Sequence, residues 1–372
     1  MIARTILNKI ESKLFKGKTI VLLGARQVGK TTLIKELLKD KEYLFLDGDE
    51  VLVRTMLTNA GRKELKTIIG THKIIFIDEA QRIENIGITA KIIHDQFEDV
   101  QLIISGSSAF ELKNDISEPL TGRKWEYHLM PISYQEIEET TNYVEALSTL
   151  QTRLIYGFYP DVINRPGEEK DLLKEITESY LFKDILAFSG IRKPEVLEKI
   201  LRALAFQVGS EVSYNEIAQL VGVDKNTVSE YIYLLRQAYV VFPLTSFSRN
   251  LRNEIKTNIK IYFYDNGIRN ALIQNYNPIN LRDDIGTLWE NFLISERLKR
   301  NTYHKHYSNT FFWRTTTQQE IDYVEESGGK ITGYEFKWSP KRKMKIPNSF
   351  VKTYNAEVNL INQDNFRDFV LG

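Results

Sequence analysis

The sequence contains no cysteine among its 372 residues. This absence excludes disulfides, thiol nucleophiles and cysteine-ligated zinc sites, and it fits a reducing compartment. No apolar run approaches the roughly 18 residues that a membrane-spanning helix requires. The first residues scatter charges through an amphipathic pattern, which is not typical of a signal peptide. We therefore expect a soluble, cytoplasmic protein that contacts no membrane.

Neither sign of charge is in excess. Lysine and arginine together number 50, aspartate and glutamate 49, and the formal net charge is +1. Any attraction to nucleic acid must therefore come from local basic patches, because the overall field is close to neutral. The length predicts two or three domains, each with enough residues for a hydrophobic core.

Hydrophobic periodicity divides the chain into four predicted domains. Short β-branched runs alternate with helical patterns up to residue 130, which predicts an α/β fold with a parallel sheet. Helical patterns then replace strands, and a helix, a helix-turn-helix and a strand follow in the order of a winged helix. A helix and several strands make up the C-terminal part, predicted as an α+β domain. The predicted domains are residues 1–130 (α/β core), 131–199 (helical subdomain), 200–266 (winged helix) and 267–372.

A phosphate-binding motif follows the first predicted strand. The segment "GARQVGKT", residues 24–31, fits G-x-x-x-x-G-K-[ST] between an apolar strand and a helical pattern. Backbone amides of such a loop, together with the helix N-terminus, bind phosphate oxygens. Lys30 is expected to bridge the β- and γ-phosphates of ATP, and Thr31 to ligate Mg²⁺. The predicted nucleotide-binding residues are Gly24, Ala25, Arg26, Gln27, Val28, Gly29, Lys30, Thr31 and Thr32.

Two acidic residues end a later apolar strand in "KIIFIDEA". Asp78 suits the Mg²⁺ shell, and Glu79 is expected to accept a proton from the attacking water. An acidic helix cap is the alternative, which the upstream motif disfavours. The next strand ends in "SGSS", where Ser107, in preference to Ser105, is expected to orient that water. These serines can also be turn residues without a chemical role.

One arginine is a candidate for contact with the γ-phosphate. Arg123, in "TGRKW", precedes the last strand of the predicted sheet. It is expected to act in its own subunit or from a neighbouring subunit of a homo-oligomer. A solvated loop arginine is the alternative.

The predicted winged helix has a candidate DNA-reading helix. This helix begins near Lys225, so Lys225, Asn226, Thr227 and Ser229 can meet base edges. Phosphate contacts are expected from Arg249, Arg252, Lys256 and Lys260. Acidic residues dilute this charge, and a protein-docking or interdomain module is the alternative.

The segment "QEIDYVEESGGKITGYEFKW", residues 319–338, predicts a hairpin. A two-residue Gly-Gly loop would set Ser327 opposite Lys330, Asp322 opposite Glu335, and Glu320 opposite Lys337. The reverse face carries Ile321, Tyr323, Tyr334 and Phe336, and is expected to face a core.

The opposed acids of this hairpin need an explanation, because like charges directly across a strand pair are destabilising. Mg²⁺ shared between Asp322 and Glu335 would remove the repulsion, and Lys337 would position or deprotonate a water. The alternative is an ordinary ion pair between Glu320 and Lys337, with the other carboxylates in solvent.

Several segments together resemble a known family. These are "GARQVGKTTL", "IIFIDEAQ", "ISGSSAFEL", "TGRKWEYHLMPISYQE", "YGFYPDV", "GTLWENFLISERL", "EIDYV" and "YEFKW". The chain resembles the AAA+-type P-loop ATPases (AAA_14) of bacteria and archaea that carry a C-terminal DUF4143 domain. Phe158 departs from the family, which usually has a second glycine there.

The resemblance implies ATP binding and hydrolysis, and a C-terminal domain similar to the PD-(D/E)xK nucleases, with the fold of restriction endonucleases. It adds Glu290 as a helix carboxylate, so the implied metal ligands are Glu290, Asp322 and Glu335, with Lys337 as a catalytic residue. The basic cluster Lys341, Arg342, Lys343 and Lys345 would suit DNA. The expected function is an ATPase coupled to a DNA-binding, nuclease-like module. The alternative is a nucleotide-dependent switch that binds a partner without cutting.

Overall fold

The computed structural model of the protein describes residues 2–107, 116, 118–181, 193–248, 258–342 and 346–371, without the side chains of 179–181. The chain divides into two units of structure. The first is built on the residues up to Ile132, and the second takes nearly all residues from Ser133 onward. The predicted boundaries at residues 130, 199 and 266 stay predictions.

The first unit contains a five-stranded sheet in the order β2-β3-β4-β1-β5. All four neighbouring pairs are parallel, as the alternating pattern predicted. Each residue of β1, β3 and β4 is buried, so both faces of the sheet are covered. The strands are β1 (Thr19–Leu23), β2 (Leu44–Asp47), β3 (Ile74–Asp78), β4 (Gln101–Gly106) and β5 (Lys124–His128).

Helices connect β1 to β2, β2 to β3 and β3 to β4, as parallel pairing requires. Their apolar positions recur at helical spacing; the fourth helix, for example, buries Leu65 and Ile69. The helices are α1 (Leu7–Glu11), α2 (Lys30–Leu37), α3 (Val51–Leu57), α4 (Arg62–Ile69) and α5 (Ile86–Gln96), with a 3₁₀ turn at Ala80–Arg82.

The order of the strands positions the candidate nucleotide site. Because the strands are parallel, their carboxyl ends lie at one edge of the sheet, where ligands bind in open α/β folds. The phosphate motif follows Leu23 at the end of β1, and Asp78 ends β3. The end of β4, at Gly106, lies between them.

The second unit begins with helices. A capping box, in which Ser133 and Glu136 satisfy each other's backbone amides, starts its first helix. The helices are α6 (Tyr134–Thr140), α7 (Tyr143–Tyr156), α8 (Pro160–Asn164), α9 (Glu169–Glu175) with a π-helical turn (Ile176–Leu181), α10 (Pro194–Phe206), α11 (Tyr214–Val221), α12 (Lys225–Gln237), α13 (Asn266–Leu272), α14 (Ile285–His304), α15 (Asn348–Tyr354) and α16 (Phe366–Leu371), with a 3₁₀ turn at Ile279–Leu281.

A seven-stranded sheet in the order β12-β11-β10-β9-β7-β8-β6 forms the second core. The pairs β11–β12 and β7–β9 are parallel, and the others are antiparallel. Strands of the predicted winged helix and of the predicted nuclease-like domain therefore share one sheet. The strands are β6 (Glu211–Val212), β7 (Val241–Ser246), β8 (Ile259–Phe263), β9 (Asn309–Arg314), β10 (Glu320–Ser327), β11 (Lys330–Phe336) and β12 (Glu357–Ile361).

The pairing of β9 with β10 contains a bulge between Ile321 and Val324. Because of it, Ile321 joins Val324 in a core cluster with Trp313, whereas Tyr323 packs on the rings of other aromatic residues. The prediction that Ile321 and Tyr323 face one core is wrong for this reason. A bulge breaks the alternation of a strand and redirects the side chains beside it.

Within the described ranges, no helix has the length and apolar character needed to cross a membrane.

Candidate nucleotide site and carboxylate cluster

The phosphate loop turns tightly between β1 and α2. Gln27 and Gly29 have φ angles of 61° and 93°, in the left-handed region. A Cβ atom on Gly24 would lie 2.1 Å from the carbonyl oxygen of Leu129, so only glycine fits there. The Lys30 ammonium is held within the loop, because it donates to the carbonyls of Gly24 and Ala25 at 3.1 and 2.9 Å.

The two predicted Mg²⁺ ligands of this loop region lie together. Thr31 Oγ1 donates to Asp78 Oδ2 at 2.5 Å. The other oxygen, Oδ1, accepts hydrogen bonds from Ser105 Oγ and from the Glu79 amide, the latter at 3.1 Å. Hydroxyl and carboxylate oxygens are the ligands that Mg²⁺ prefers, so this pair fits the predicted cation.

Glu79 lies beside Ser107, as the sequence suggested. Its Oε2 accepts hydrogen bonds from Ser107 Oγ at 3.3 Å and from Gln81 Nε2. Gln81 Nε2 also donates to Ser107 Oγ at 3.0 Å. Glu79 itself has a left-handed φ of 45°, which turns the chain where β3 ends. Ser105 is bonded to Asp78 instead. The structure therefore brings Ser107 to Glu79, and its role in orienting water stays a prediction.

Arg123 lies at the opposite edge of the sheet. Its carbonyl accepts from the amide of Thr19, the first residue of β1, whereas the phosphate loop follows the last. A strand of five residues spans about 17 Å. Arg123 Nε donates to Asp95 Oδ1 at 2.7 Å, and this hydrogen bond lowers the pKa of the Asp95 carboxyl. Arg123 cannot reach a γ-phosphate in its own subunit, and the contact from a neighbouring subunit stays a prediction.

The hairpin has the predicted register. Ser327 pairs with Lys330, and the ladder continues to Tyr323 opposite Tyr334. Asp322 and Glu335 come next along the two strands. The bulge of β10 begins at this point, and Asp322 Oδ2 accepts from the Phe336 amide at 2.8 Å.

The acidic side chains around this point form what we call the carboxylate cluster, Glu290, Glu320, Asp322 and Glu335. Within it, Lys337 Nζ donates to Glu335 Oε1 at 2.7 Å, not to Glu320. The expected alternative, an ion pair between Glu320 and Lys337, is therefore wrong, because Glu320 has other partners. Burial, and then the charge of Asp322, raise the pKa of the Glu335 carboxyl.

A residue from outside the hairpin enters the cluster. Lys260, on β8, is 1% exposed; its ammonium donates to Glu320 and lies 3.6 Å from Glu290 Oε1. Although burial opposes its charge, Glu290 and Glu320 raise the pKa of Lys260. The expectation that Lys260 contacts DNA phosphates is therefore wrong, because the side chain is buried and paired.

Glu290, on α14, contacts two other side chains of the protein. Its Oε1 accepts from the Tyr262 hydroxyl at 2.6 Å and faces the Lys260 ammonium. Burial raises the pKa of Glu290 to about 7, with Lys260 opposing this and Asp322 adding to it. In the part of the chain that the structure describes, no group of three or more histidine, aspartate or glutamate side chains is arranged to hold a metal. The implied set of Glu290, Asp322 and Glu335 therefore does not fit a divalent cation in this arrangement.

Comparisons with known proteins agree with the geometry of the first unit. The family model described as "AAA domain" matches residues 16–138. Over these residues the first unit is similar to an AAA domain. Residues 285–367 match the model of the domain of unknown function DUF4143, and residues 147–278 match that of another, DUF8612. The predicted resemblance to AAA-type ATPases with a DUF4143 domain is confirmed.

Relatives are similar over most of the chain. An uncharacterized protein of Mycobacterium tuberculosis is 26% identical over 334 residues, which cover 88% of this chain and 72% of that protein. Another, of Methanocaldococcus jannaschii, is 22% identical over 346 residues, covering 87% and 75%. Among solved structures, a Walker-type ATPase of Pyrococcus abyssi has a TM-score of 0.51 at 15% identity, and covers 73% of this chain and 96% of that one. That likeness shows the P-loop fold.

Two residues of the first unit were missed by the sequence analysis. Gln81 bridges Glu79 and Ser107, and its place two residues after Glu79 was the available signal. Arg4 donates from Nη1 to the carbonyl of Val28 in the phosphate loop at 2.9 Å. No sequence signal marks Arg4, because it precedes Val28 by 24 residues.

The candidate DNA-reading helix α12 begins at an acidic cap. Asp224 accepts from the amides of Asn226 and Thr227, and from the Thr227 hydroxyl at 2.6 Å. These hydrogen bonds lower the pKa of the Asp224 carboxyl, and the one from the Thr227 hydroxyl has the largest effect. A negative charge at the end that would meet DNA disfavours base reading by this helix. Lys225, Asn226 and Ser229 are exposed there, whereas Arg249, Arg252, Lys256, Lys343 and Lys345 lie outside the described residues.

Proposed function

We propose that the protein is a Mg²⁺-dependent ATPase whose nucleotide state controls what its second unit binds. The carrying observation is the placement of two pairs at one edge of the AAA sheet: Thr31 with Asp78, and Glu79 with Ser107. The first pair suits a cation, and the second suits a water molecule that is about to lose a proton. A nucleotide-binding domain without hydrolysis would not require the second pair.

Each residue has a separate role in this proposal. The loop amides and the Lys30 ammonium bind the β- and γ-phosphates. Thr31 and Asp78 hold Mg²⁺, which when bound neutralises phosphate charge. Glu79 takes the proton of the attacking water, and Ser107 orients that water. Gln81 keeps the Glu79 carboxylate in place.

ATP turnover tests the assignment of Glu79. We expect Glu79→Gln to lower kcat by at least roughly 100-fold, the range of general base catalysis, and to leave ATP binding measurable by calorimetry. Glu84→Gln is the matched control, because Glu84 is exposed and lies on the same connection after β3. Equal turnover in wild type and Glu79→Gln would overturn the assignment.

For the second unit, the chain order supports a nuclease-like fold. Helix α14 is followed by the antiparallel β9–β10–β11, then by α15 and a strand parallel to β11. Asp322 lies on β10, and Glu335 and Lys337 lie on or just after β11, in the spacing of the PD-(D/E)xK pattern.

One observation favours the alternative in which this unit binds a partner without cutting. Glu290 Oε1 accepts from the Tyr262 hydroxyl and faces the Lys260 ammonium, so protein groups already occupy the surroundings of that oxygen. Exposed basic residues beside the hairpin, Lys341 and Arg342, suit a phosphate backbone. We therefore propose nucleic-acid binding without cleavage.

DNA incubation distinguishes cutting from binding. Branched and linear DNA are incubated with wild type, Asp322→Ala and Lys337→Ala in Mg²⁺ or Mn²⁺. We expect mobility shifts without cleavage products in all three proteins. Cleavage by wild type that Asp322→Ala abolishes would overturn the non-cutting proposal, and would leave the ATPase proposal untouched.

A further inference from the structure

We propose that Lys260 is a built-in cation, which takes the place of a divalent metal ion in the carboxylate cluster. The inference rests on the same cluster as the non-cutting proposal, but it concerns how the cluster is neutralised. It does not depend on whether the unit binds nucleic acid.

The ammonium of Lys260 is placed as a counter-ion. It donates to Glu320 Oε1 and lies 3.6 Å from Glu290 Oε1. The same nitrogen lies 5.2 Å from the centre of the Phe312 ring. The face of an aromatic ring attracts a cation. At 1% exposure the side chain has no access to solvent, so the carboxylates replace its hydration.

Strand β8 supplies two neighbours to one carboxylate. Lys260 and Tyr262 are two positions apart and therefore point to the same face of the strand. Both contact Glu290 Oε1, one through its ammonium and the other through its hydroxyl. A metal ligand needs free lone pairs directed at the ion, whereas this oxygen already accepts a hydrogen bond from Tyr262 and has the Lys260 ammonium as its ion-pair partner.

The remaining acids of the cluster also have cationic or amide partners. Glu320 Oε2 lies 3.7 Å from Arg314 Nε, and Glu335 is bonded to Lys337. Asp322 accepts from the Phe336 amide. Each lysine therefore contacts acids of the cluster directly, so a divalent ion bound by those acids would meet their positive charges at close range.

Part of the negative charge of the cluster is thus offset without a metal. Lys337 offsets the charge of Glu335, and Lys260 offsets that of Glu320 and Glu290. A divalent cation would have to displace a buried ammonium that is paired with two carboxylates, which leaves that ammonium without partners.

Counting bound Mn²⁺ tests this inference without reference to activity. Free Mn²⁺ is followed by electron paramagnetic resonance during titration of the full-length, nucleotide-free protein. We expect wild type and Asp322→Asn to bind the same number of ions, because any site in the AAA domain is common to both. One ion more in wild type than in Asp322→Asn would overturn the proposal.

Replacing the lysine should create the metal site. Lys260→Met removes the ammonium and keeps much of the apolar stem, and we expect it to bind one more Mn²⁺ than wild type. The double variant Lys260→Met/Asp322→Asn should lose that ion, and Lys260→Arg, which keeps the charge, should not gain it. Thermal unfolding establishes whether Lys260→Met is folded. A folded Lys260→Met without the extra ion would overturn the proposal; if it does not fold, wild type against Asp322→Asn decides.

Discussion

The hydroxyl of Thr31 donates to Asp78 Oδ2 at 2.5 Å, and this hydrogen bond joins the phosphate loop to the end of β3. The two residues are 47 positions apart in the chain. They meet because β1 and β3 are parallel, with β4 between them, so that their carboxyl ends share one edge. A change at either residue should therefore act on the same cation.

Asp78→Asn should weaken Mg²⁺-dependent ATP turnover. The amide keeps the shape of the carboxylate but removes the charge that Mg²⁺ requires. We expect a loss of at least roughly 10- to 100-fold, the effect typical of groups that hold a metal site together. Titration of turnover with Mg²⁺ at fixed ATP measures it. Thr31→Ser, which keeps the hydroxyl, should stay close to wild type; an unchanged Mg²⁺ dependence in Asp78→Asn would contradict the assignment.

Ser107 and Gln81 should act through the same carboxylate. Because both are bonded to Glu79 Oε2, we expect Ser107→Ala and Gln81→Ala each to lower kcat by roughly tenfold or more, with a smaller effect on KM. The double variant should lose less than the product of the two single effects, since neighbouring groups are not additive. Steady-state kinetics of the four proteins measures this coupling. Strictly multiplicative losses would show that the two residues act independently.

Gly24 should tolerate no side chain. A Cβ there would lie 2.1 Å from the backbone oxygen of Leu129. Gly24→Ala must displace backbone, so we expect a cost of about 1–3 kcal/mol in the free energy of unfolding, together with loss of ATP binding. Chemical denaturation and calorimetry measure the two effects.

The control for this substitution is Gly286→Ala, in the first turn of α14. Nothing lies within 4 Å of a Cβ at Gly286, and its φ is not positive. Alanine should therefore be neutral, or stabilise by up to about 1 kcal/mol. A similar loss of stability in both variants would mean that the contact with Leu129 does not decide the effect.

Features that depend on local patterns were predictable from the sequence. The parallel strands follow from runs of β-branched residues, and the phosphate loop follows from glycine and lysine spacing. The hairpin register follows from Gly328 and Gly329, which both have positive φ. In each case the residues that determine the structure are neighbours in the chain.

Features that depend on long-range contacts were not predictable. Lys260 meets Glu320, which lies 60 residues away, and the helical and strand patterns contain no signal for that meeting. The bulge in β10 separated Ile321 from Tyr323, because it arises from pairing with β9 rather than from β10 alone. Arg123 differs: a residue just before a parallel strand lies at the edge opposite the phosphate loop, so its position could have been derived.

The buried pair of Arg297 and Glu325 should be far more important for stability than an exposed pair. Arg297 donates to both oxygens of Glu325 at 2.8 and 2.7 Å, and the two side chains are 9% and 7% exposed. Glu325→Gln leaves a buried guanidinium without its counter-charge. We expect a loss of about 3–5 kcal/mol in the free energy of unfolding, measured by urea denaturation.

The matched control is the pair of Lys330 and Glu357, whose side chains are 71% and 58% exposed. Lys330→Ala should cost less than about 1 kcal/mol, because water screens the interaction. If Glu325→Gln lowered the free energy of unfolding as little as Lys330→Ala, the Arg297 guanidinium would have to be paired with another group or hydrated in the variant.

Glu126, on β5, should make stability depend on acidic pH. It accepts from Lys124 at 2.6 Å and lies 3.2 Å from the His128 ring nitrogen. The bond with His128 first, and then that with Lys124, lower the pKa of Glu126 from 4.5 to about 2. Because the pKa of Glu126 is lower in the folded state, its stabilising effect is complete at pH values above the pKa of the unfolded chain. The effect is lost as the pH falls from that pKa to the pKa of the folded state.

We therefore expect Glu126→Gln to be less stable than wild type at pH 7 by about 1–2 kcal/mol, after allowance for solvent screening. The difference should shrink as pH falls below about 4.5 and approach zero near the lowered pKa of Glu126. Urea denaturation at pH 7, 4 and 3 measures it, and Glu98→Gln, at an exposed position, controls for the loss of one negative charge. A difference that stays constant from pH 7 to 3 would mean that the effect comes from packing at this strand rather than from the charge of Glu126.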